Sequence, residues 1–175
     1  MLDRFNLLIS TSRGNERNAC TEAWYLLKEA GDDSAQVDVT QVIGLLVAET
    51  KIPPLETVER LRGVMRSRPW EFKYLLKVVP IELVVSTGLG EVEEAARRLS
   101  ERIGEGETFR ITVEKRHSNL STVSIIEAAA RPIKRKVNLK NPDRILHIEV
   151  LGKVTGISLI KPDEILSVER EKRLL

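Results

Sequence analysis

Phe109-Arg110-Ile111-Thr112-Val113-Glu114-Lys115-Arg116-His117 alternates apolar and polar residues with a period of two, the pattern of a strand with one buried face. Phe109, Ile111 and Val113 are expected on the core side, with Arg110, Thr112, Glu114 and Arg116 facing outward. Ser118-Asn119-Leu120-Ser121 then has the composition of a helix cap, and Val123, Ile126, Ala129, Ala130 and Ile133 are read as the core face of the helix that follows. That helix ends in Arg131-Pro132-Ile133-Lys134-Arg135-Lys136. A polar run, Val137-Asn138-Leu139-Lys140-Asn141-Pro142-Asp143, leads into two apolar strands, 145–151 and 155–160, joined by Gly152-Lys153-Val154. In the first of these strands Leu146, Ile148 and Val150 alternate with His147 and Glu149, which the period places outside. Between Arg110 and Lys140 stand eight basic residues and two acidic ones, whereas the 175-residue chain has a net charge of only +2. Charge segregated in this way points to a polyanionic partner.

Upstream, residues 91–103 form an amphipathic helix with Val92, Ala95, Ala96, Leu99 and Ile103 in one stripe. Ser86-Thr87-Gly88-Leu89-Gly90 is the loop with linker composition, and it divides the chain into residues 1–87 and 88–175. The first part reads as strand 5–10, helix 16–30, strands 36–39 and 44–48, a helix opened by Pro53-Pro54, and strand again at 74–79 and 81–85. This β-α-β-β-α-β order is that of a ferredoxin-like sandwich, which fixes a fold and leaves function open. The last stretch, 168–175, alternates charges and ends in two leucines. It reads as a partly ordered tail that faces a partner.

The second part resembles a THUMP domain, an RNA-binding module of tRNA- and RNA-modifying proteins. The matching pieces are Lys73-Tyr74-Leu75-Leu76-Lys77-Val78-Val79-Pro80-Ile81, Thr108-Phe109-Arg110-Ile111, Lys115-Arg116, Val137-Asn138-Leu139-Lys140-Asn141-Pro142-Asp143, and the strand pair around Gly152 and Gly156. The resemblance begins near residue 72 and implies an α/β (α+β) protein with an N-terminal ferredoxin-like lobe packed on a THUMP domain. The order of elements is similar to the stand-alone THUMP adaptor of tRNA cytidine acetylation, the TAN type. Such a protein has no catalytic role of its own. It presents the acceptor stem and 3′ end of tRNA to a tRNA cytidine acetyltransferase that makes N4-acetylcytidine.

On that reading the candidate RNA contacts are Lys77, Arg110, Lys115, Arg116, His117, Arg131, Lys134, Arg135, Lys136, Asn138 and Lys140. Lysines and arginines on phosphates supply affinity through counterion release without reading sequence, and RNA duplexes are recognised largely by shape. Asn141 and Asp143 also read as turn formers around Pro142. The seven aromatic residues lie outside the basic run except Phe109, whose alternation points it inward, so base stacking is not expected there.

No cofactor, metal, membrane or DNA partner is expected. His117 and His147 are thirty positions apart with no cysteine near them, which does not suit zinc. Gly88-Leu89-Gly90 continues neither into a dinucleotide fingerprint nor into a P-loop, and an acyl-carrying cofactor would belong to the partner enzyme. The single cysteine, Cys20, forms no internal disulfide, and no apolar run reaches the length of a membrane span or a signal peptide core. A cytoplasmic setting is therefore expected. Two alternatives remain: a THUMP protein serving another RNA-modification enzyme, and a small ferredoxin-like enzyme. For the latter, Arg13 and Asn15 after the first strand resemble the phosphate-cradling arginine and water-orienting asparagine of acylphosphatases, but that family's glycine-valine-rich loop is absent.

Overall fold

Leu7–Ser10 forms β1 in the computed structural model, which describes residues 1–175, and its three apolar side chains are fully buried. After the Ser12–Asn15 turn, α1 (Glu16–Glu29) buries Ala19, Ala23, Leu26 and Leu27 at the three- and four-residue spacing of one helix face. β2 (Gln36–Val39) and β3 (Leu45–Glu49) follow as antiparallel neighbours. Gly44, just before β3, has φ +80°, and a Cβ there would lie 2.8 Å from the carbonyl oxygen of Thr11, so only glycine fits. α2 (Pro54–Ser67) starts on a proline that needs no N–H partner and stops before Pro69. β4 (Lys77–Pro80) completes an antiparallel sheet in the order β4-β1-β3-β2. Its core joins Leu7, Ile9, Leu46 and Val78 to Leu26, Leu61, Met65 and Phe72 of the helical layer. The ferredoxin-like reading holds at the level of strand order as well as element order.

The expected strand at 74–79 is shorter than its composition suggests. The backbone N–H groups of Lys73, Tyr74 and Leu75 all donate to the carboxylate of Glu22 on α1, each at 2.8 Å. A side chain has thus taken the donors of a segment whose residues favour β structure, and ladder pairing begins only at Lys77. The expected continuation at 81–85 leaves this sheet altogether.

β5 (Leu83–Ser86) opens a second sheet. It is followed by α3 (Leu89–Ser100), β6 (Thr108–Arg116), α4 (Thr122–Ala130), the two-residue β7 (Lys136–Val137), β8 (Arg144–Leu151) and β9 (Val154–Ile160). The order is β5-β9-β8-β6-β7, with β6 parallel to both β7 and β8 and the other pairs antiparallel. Val92, Ala96 and Leu99 of α3 and Ile125 and Ala129 of α4 share one core with Phe109, Leu146, Ile148 and Val150.

Two details differ from the sequence reading. α4 turns Ile125, Ala128 and Ala129 inward and leaves Val123 64% exposed, because an alanine-rich helix carries no sharp polar face to fix its rotation. On β8, His147 and Glu149 are buried along with their apolar neighbours, so both faces of that strand are covered.

The chain then returns. β10 (Leu166–Ser167) pairs with β4 as a fifth strand of the first sheet, and α5 (Val168–Arg173) is seated by Val168, which is 3% exposed. Glu171 is buried and ion-paired to the buried Arg62 of α2, while Lys172 donates to the carbonyl of Phe72 at 2.8 Å. The expected loose tail is therefore a docked helix. The two units are Met1–Ile81 with Glu164–Leu175, and Glu82–Asp163. The division falls a few residues before the 87/88 boundary read from the linker, and residues 164–175 belong to the first unit.

Asp32, buried just past α1, links three segments of the first unit. Its carboxylate accepts from the Thr50 hydroxyl (2.7 Å), Lys51 N–H (2.7 Å), Ser34 N–H (2.9 Å) and the Ser34 hydroxyl (2.8 Å). Burial works to raise its pKa, but these hydrogen bonds outweigh it and hold the group well below the carboxylate range. A depressed folded-state pKa contributes stability that is present above the unfolded value of about 4 and is lost as pH falls toward the folded one. Asp32→Asn should cost about 2 kcal/mol at neutral pH, the scale of hydrogen bonds to a charged group. In urea unfolding, the gap between wild type and variant should narrow below about pH 4.

Candidate nucleic-acid interface

The basic residues expected to form one strip are divided by β6 into two groups. α4 runs back along the sheet, so the chain that leaves it pairs at the start of β6, with Thr108 opposite Lys136 and Phe109 opposite Val137. Lys115, Arg116 and His117 lie at the other end of the same strand. Six residues separate Arg110 from Arg116, about 20 Å at the rise of a strand.

At the first end, the loop between β7 and β8 is fixed by its own polar side chains. The Asn138 side-chain oxygen accepts from Lys140 N–H (3.2 Å) and Asn141 N–H (3.0 Å), and the Asn138 N–H donates to the Phe109 carbonyl. Asp143 accepts from the N–H of Thr108 at 2.8 Å and from its hydroxyl, and the Thr108 hydroxyl accepts from the Asp143 N–H in return. Arg110 donates through Nη1 to the Leu139 carbonyl at 2.8 Å, and Arg135 donates to the carbonyls of Ile103 and Gly104 in the turn after α3. Arg110 thus braces the loop and Arg135 the turn after α3.

Lys134, Lys136 and Lys140 are exposed, and their ammonium groups make no bond within the protein. Val137 and Leu139 alternate with them and are 53% and 68% exposed. Sequence reasoning passed over these two because apolar residues in a strand read as core. The available signal was the short space between Lys136 and Pro142, which leaves room only for an edge strand.

The remaining candidates are placed differently. Arg131 pairs with Glu93 at 3.4 Å, which offsets its charge. Lys115 donates to the Leu120 carbonyl at 2.7 Å. His117 is exposed at φ +56°, a left-handed conformation rare outside glycine, and lies beside the N-terminal end of α4, where the Ser121 hydroxyl caps Ser124 N–H at 3.0 Å. Lys77 is on β4 in the first unit, so the strand expected to carry it into the basic group is not shared. Asn138, a candidate RNA contact, has its oxygen engaged in the turn that Asn141 was expected to make.

Arg116 is turned inward to an ion pair with Glu149, whose side chain is 4% exposed. Glu149 also meets His147 Nε2 at 2.7 Å, and His147 Nδ1 meets the Thr112 hydroxyl at 2.6 Å. Burial would raise the Glu149 pKa, but the His147 bond and the Arg116 charge prevail and lower it. These four residues form one charge-compensated chain across β6 and β8, and Arg116 belongs to it before any ligand.

In the first unit, just after the Arg13–Asn15 turn, the Glu16 carboxylate accepts from Gly44 N–H at 3.1 Å. No cluster of histidine, cysteine, aspartate and glutamate has the geometry to hold a metal ion, and no helix is long and apolar enough to cross a membrane.

The THUMP domain family model matches residues 87–160, which lie within the second unit. A THUMP domain therefore occupies that unit, and Lys73–Ile81, read from sequence as its beginning, lies outside the matched span. An uncharacterized protein of Methanocaldococcus jannaschii is 26% identical over 102 residues, 55% of this chain and 28% of its own length. Among solved structures, a Pyrococcus horikoshii protein is similar over 90% of this chain and 55% of its own, with a TM-score of 0.63 at 16% identity. A 4-thiouridine synthetase, solved with RNA and bound ATP, is similar over 90% of this chain and 42% of its own, with a TM-score of 0.55 at 16% identity. TrmN of Thermus thermophilus follows at 0.53 over 87% and 44%, at 17% identity. The chain thus spans about half the length of these solved proteins, or less, and the likeness at such identity is one of fold.

Removing Glu149 leaves Arg116 without its counter-charge and His147 Nε2 without its hydrogen-bond partner. Glu149→Ala should destabilise the second unit by about 3 kcal/mol, the scale for breaking a buried pair. A double-mutant cycle with Arg116→Met should show a coupling of about 1 kcal/mol or more by denaturant unfolding. Because the folded-state pKa of Glu149 is lowered, its contribution is present above the usual carboxylate range and fades as pH falls below it.

Proposed function

We propose that the chain is an RNA-binding protein of tRNA modification, and that it acts as a non-catalytic adaptor presenting the acceptor stem and 3′ end of tRNA to a tRNA cytidine acetyltransferase for N4-acetylcytidine formation. The observation that carries the RNA-binding part is the group Lys134, Lys136 and Lys140. These are three exposed ammonium groups with no internal partner, held on a braced loop inside the span that matches the THUMP domain. Such groups neutralise phosphates without naming bases, which suits recognition of a folded RNA by shape. Arg110 sets the position of that loop, and Arg110 and Arg135 add their charge behind it. Lys115 and His117, at the far end of β6, form a second and smaller contact on the same RNA.

The adaptor role, the absence of catalysis and the cytoplasmic setting rest on the family resemblance read from sequence. The likeness of the fold to a 4-thiouridine synthetase supports a second reading, service to a different tRNA-modification enzyme.

Binding to tRNA should weaken steeply with salt. Converting Lys134, Lys136 and Lys140 together to alanine should flatten the log–log slope by about 2 to 3, following roughly 0.7 to 0.9 per lost phosphate contact. A gel-shift titration at several salt concentrations reads this directly, and an unchanged slope would remove the loop from the interface. Addition of the chain to an acetyltransferase and tRNA should raise N4-acetylcytidine yield. If yield is indifferent to the chain while tRNA binding persists, the partner is a different enzyme.

A further inference from the structure

Both tryptophans and both tyrosines of the chain lie in the first unit around one face of α1, while its three phenylalanines are buried. Tyr25, Trp70 and Tyr74 line an open groove of about 420 Å³ together with Asn18, Thr21 and Lys73. A smaller recess of about 270 Å³ beside it holds Trp24, and the Lys28 ammonium lies 5.6 Å from that ring. Trp70 is 66% exposed, a large apolar cost for a residue that fills no core.

The groove is built rather than incidental. Glu22 binds the N–H groups of residues 73–75 and so fixes the segment carrying Lys73 and Tyr74 against α1. The Thr11 hydroxyl donates to the Tyr74 carbonyl at 2.7 Å. The Tyr25 hydroxyl lies 2.9 Å from a carboxylate oxygen of both Glu29 and Glu71 and shares its single proton between them, and Arg68 pairs with the same two carboxylates. These hydrogen bonds push the Tyr25 hydroxyl up to about 12, so the ring stays neutral and in place.

The charges of the groove indicate its occupant. Each nearby carboxylate is already engaged: Glu22 by three backbone donors, Glu29 by Tyr25 and Arg68, and Glu71 by Tyr25 at Oε1 and by its ion pair to Arg68, its Oε2 being buried without a hydrogen bond. The Lys73 ammonium and the Asn18 amide are the polar groups left without an internal partner. A cationic peptide would find no free acid, whereas a flat ring attached to an anion would find aromatic faces, an amide that both donates and accepts, and a positive charge. We infer that this groove binds an unpaired nucleotide of RNA, with its base against Trp70 and the tyrosines and its phosphate at Lys73. The site is sequence-tolerant, since every base offers a π face. The inference rests on the reading of the chain as an RNA binder, but it uses residues of the first unit only.

The test is a titration of the full chain with a labelled single-stranded RNA tetranucleotide, read by anisotropy and by tryptophan emission. A proline-rich peptide of four residues is run in parallel. Saturable binding with quenched emission is expected for the RNA. Trp70→Ala should weaken it roughly tenfold or more, and Lys73→Ala should weaken it and lower its salt dependence. In the variant with Lys134, Lys136 and Lys140 changed to alanine, overall affinity should fall with the lost phosphate contacts, while the emission quenching that Trp70→Ala removes should persist. Absence of saturable binding, binding unaffected by Trp70→Ala, or quenching by the peptide and not the RNA would each overturn the inference. If salt-dependent tRNA binding through the three lysines persists in that case, the proposed function stands without this site. Trp70 is exposed, so its replacement leaves the fold intact.

Discussion

Parallel pairing between β6 and β8 governs the second unit. Two parallel strands cannot be joined by a tight turn, so the 27 residues from His117 to Asp143 must travel the length of the sheet and return. α4 makes that journey in one direction, and β7 with its loop closes it beside the start of β6. Every charged side chain on this connection receives its address from that path. The basic residues close to α4's beginning and those after its end are neighbours in composition but not in space.

Much of the architecture was legible because local chemistry and tertiary packing agree. Ala19, Ala23, Leu26 and Leu27 predict the buried face of α1, and Pro53-Pro54 and Pro69 bracket α2. The alternation of Phe109, Ile111 and Val113 gives β6 its inner face, with Phe109 fully buried. Failures came where a residue's partner is far away in sequence. Nothing near Tyr74 announces that Glu22, more than fifty residues earlier, takes its N–H. The helix at 168–173 depends on Arg62, over a hundred residues away. Alternation along β8 is real, but it separates an inner from an outer face only when one of them meets water, and here neither does.

The candidate site shows the same division. Sequence identified the basic residues and their density, and the resemblance supplied a nucleic-acid partner. It did not separate structural arginines from available lysines. Arg110, Arg116 and Arg135 each bind a group of the protein itself, as the fork of guanidinium donors favours, whereas Lys134, Lys136 and Lys140 stay in solvent as hydrated point charges. Counting both types as equal overstated the charge available to a ligand.

The return of β10 to the edge of β4 makes the THUMP-bearing unit an insertion within the first unit's chain rather than an appendage after it. During synthesis, the outer edge of β4 therefore waits unpaired while the whole of residues 82–163 emerges from the ribosome. The inserted unit, whose strands are contiguous in sequence from β5 to β9, has all its partners first. Maturation of the earlier-made unit thus finishes last, once residues 164–175 have emerged.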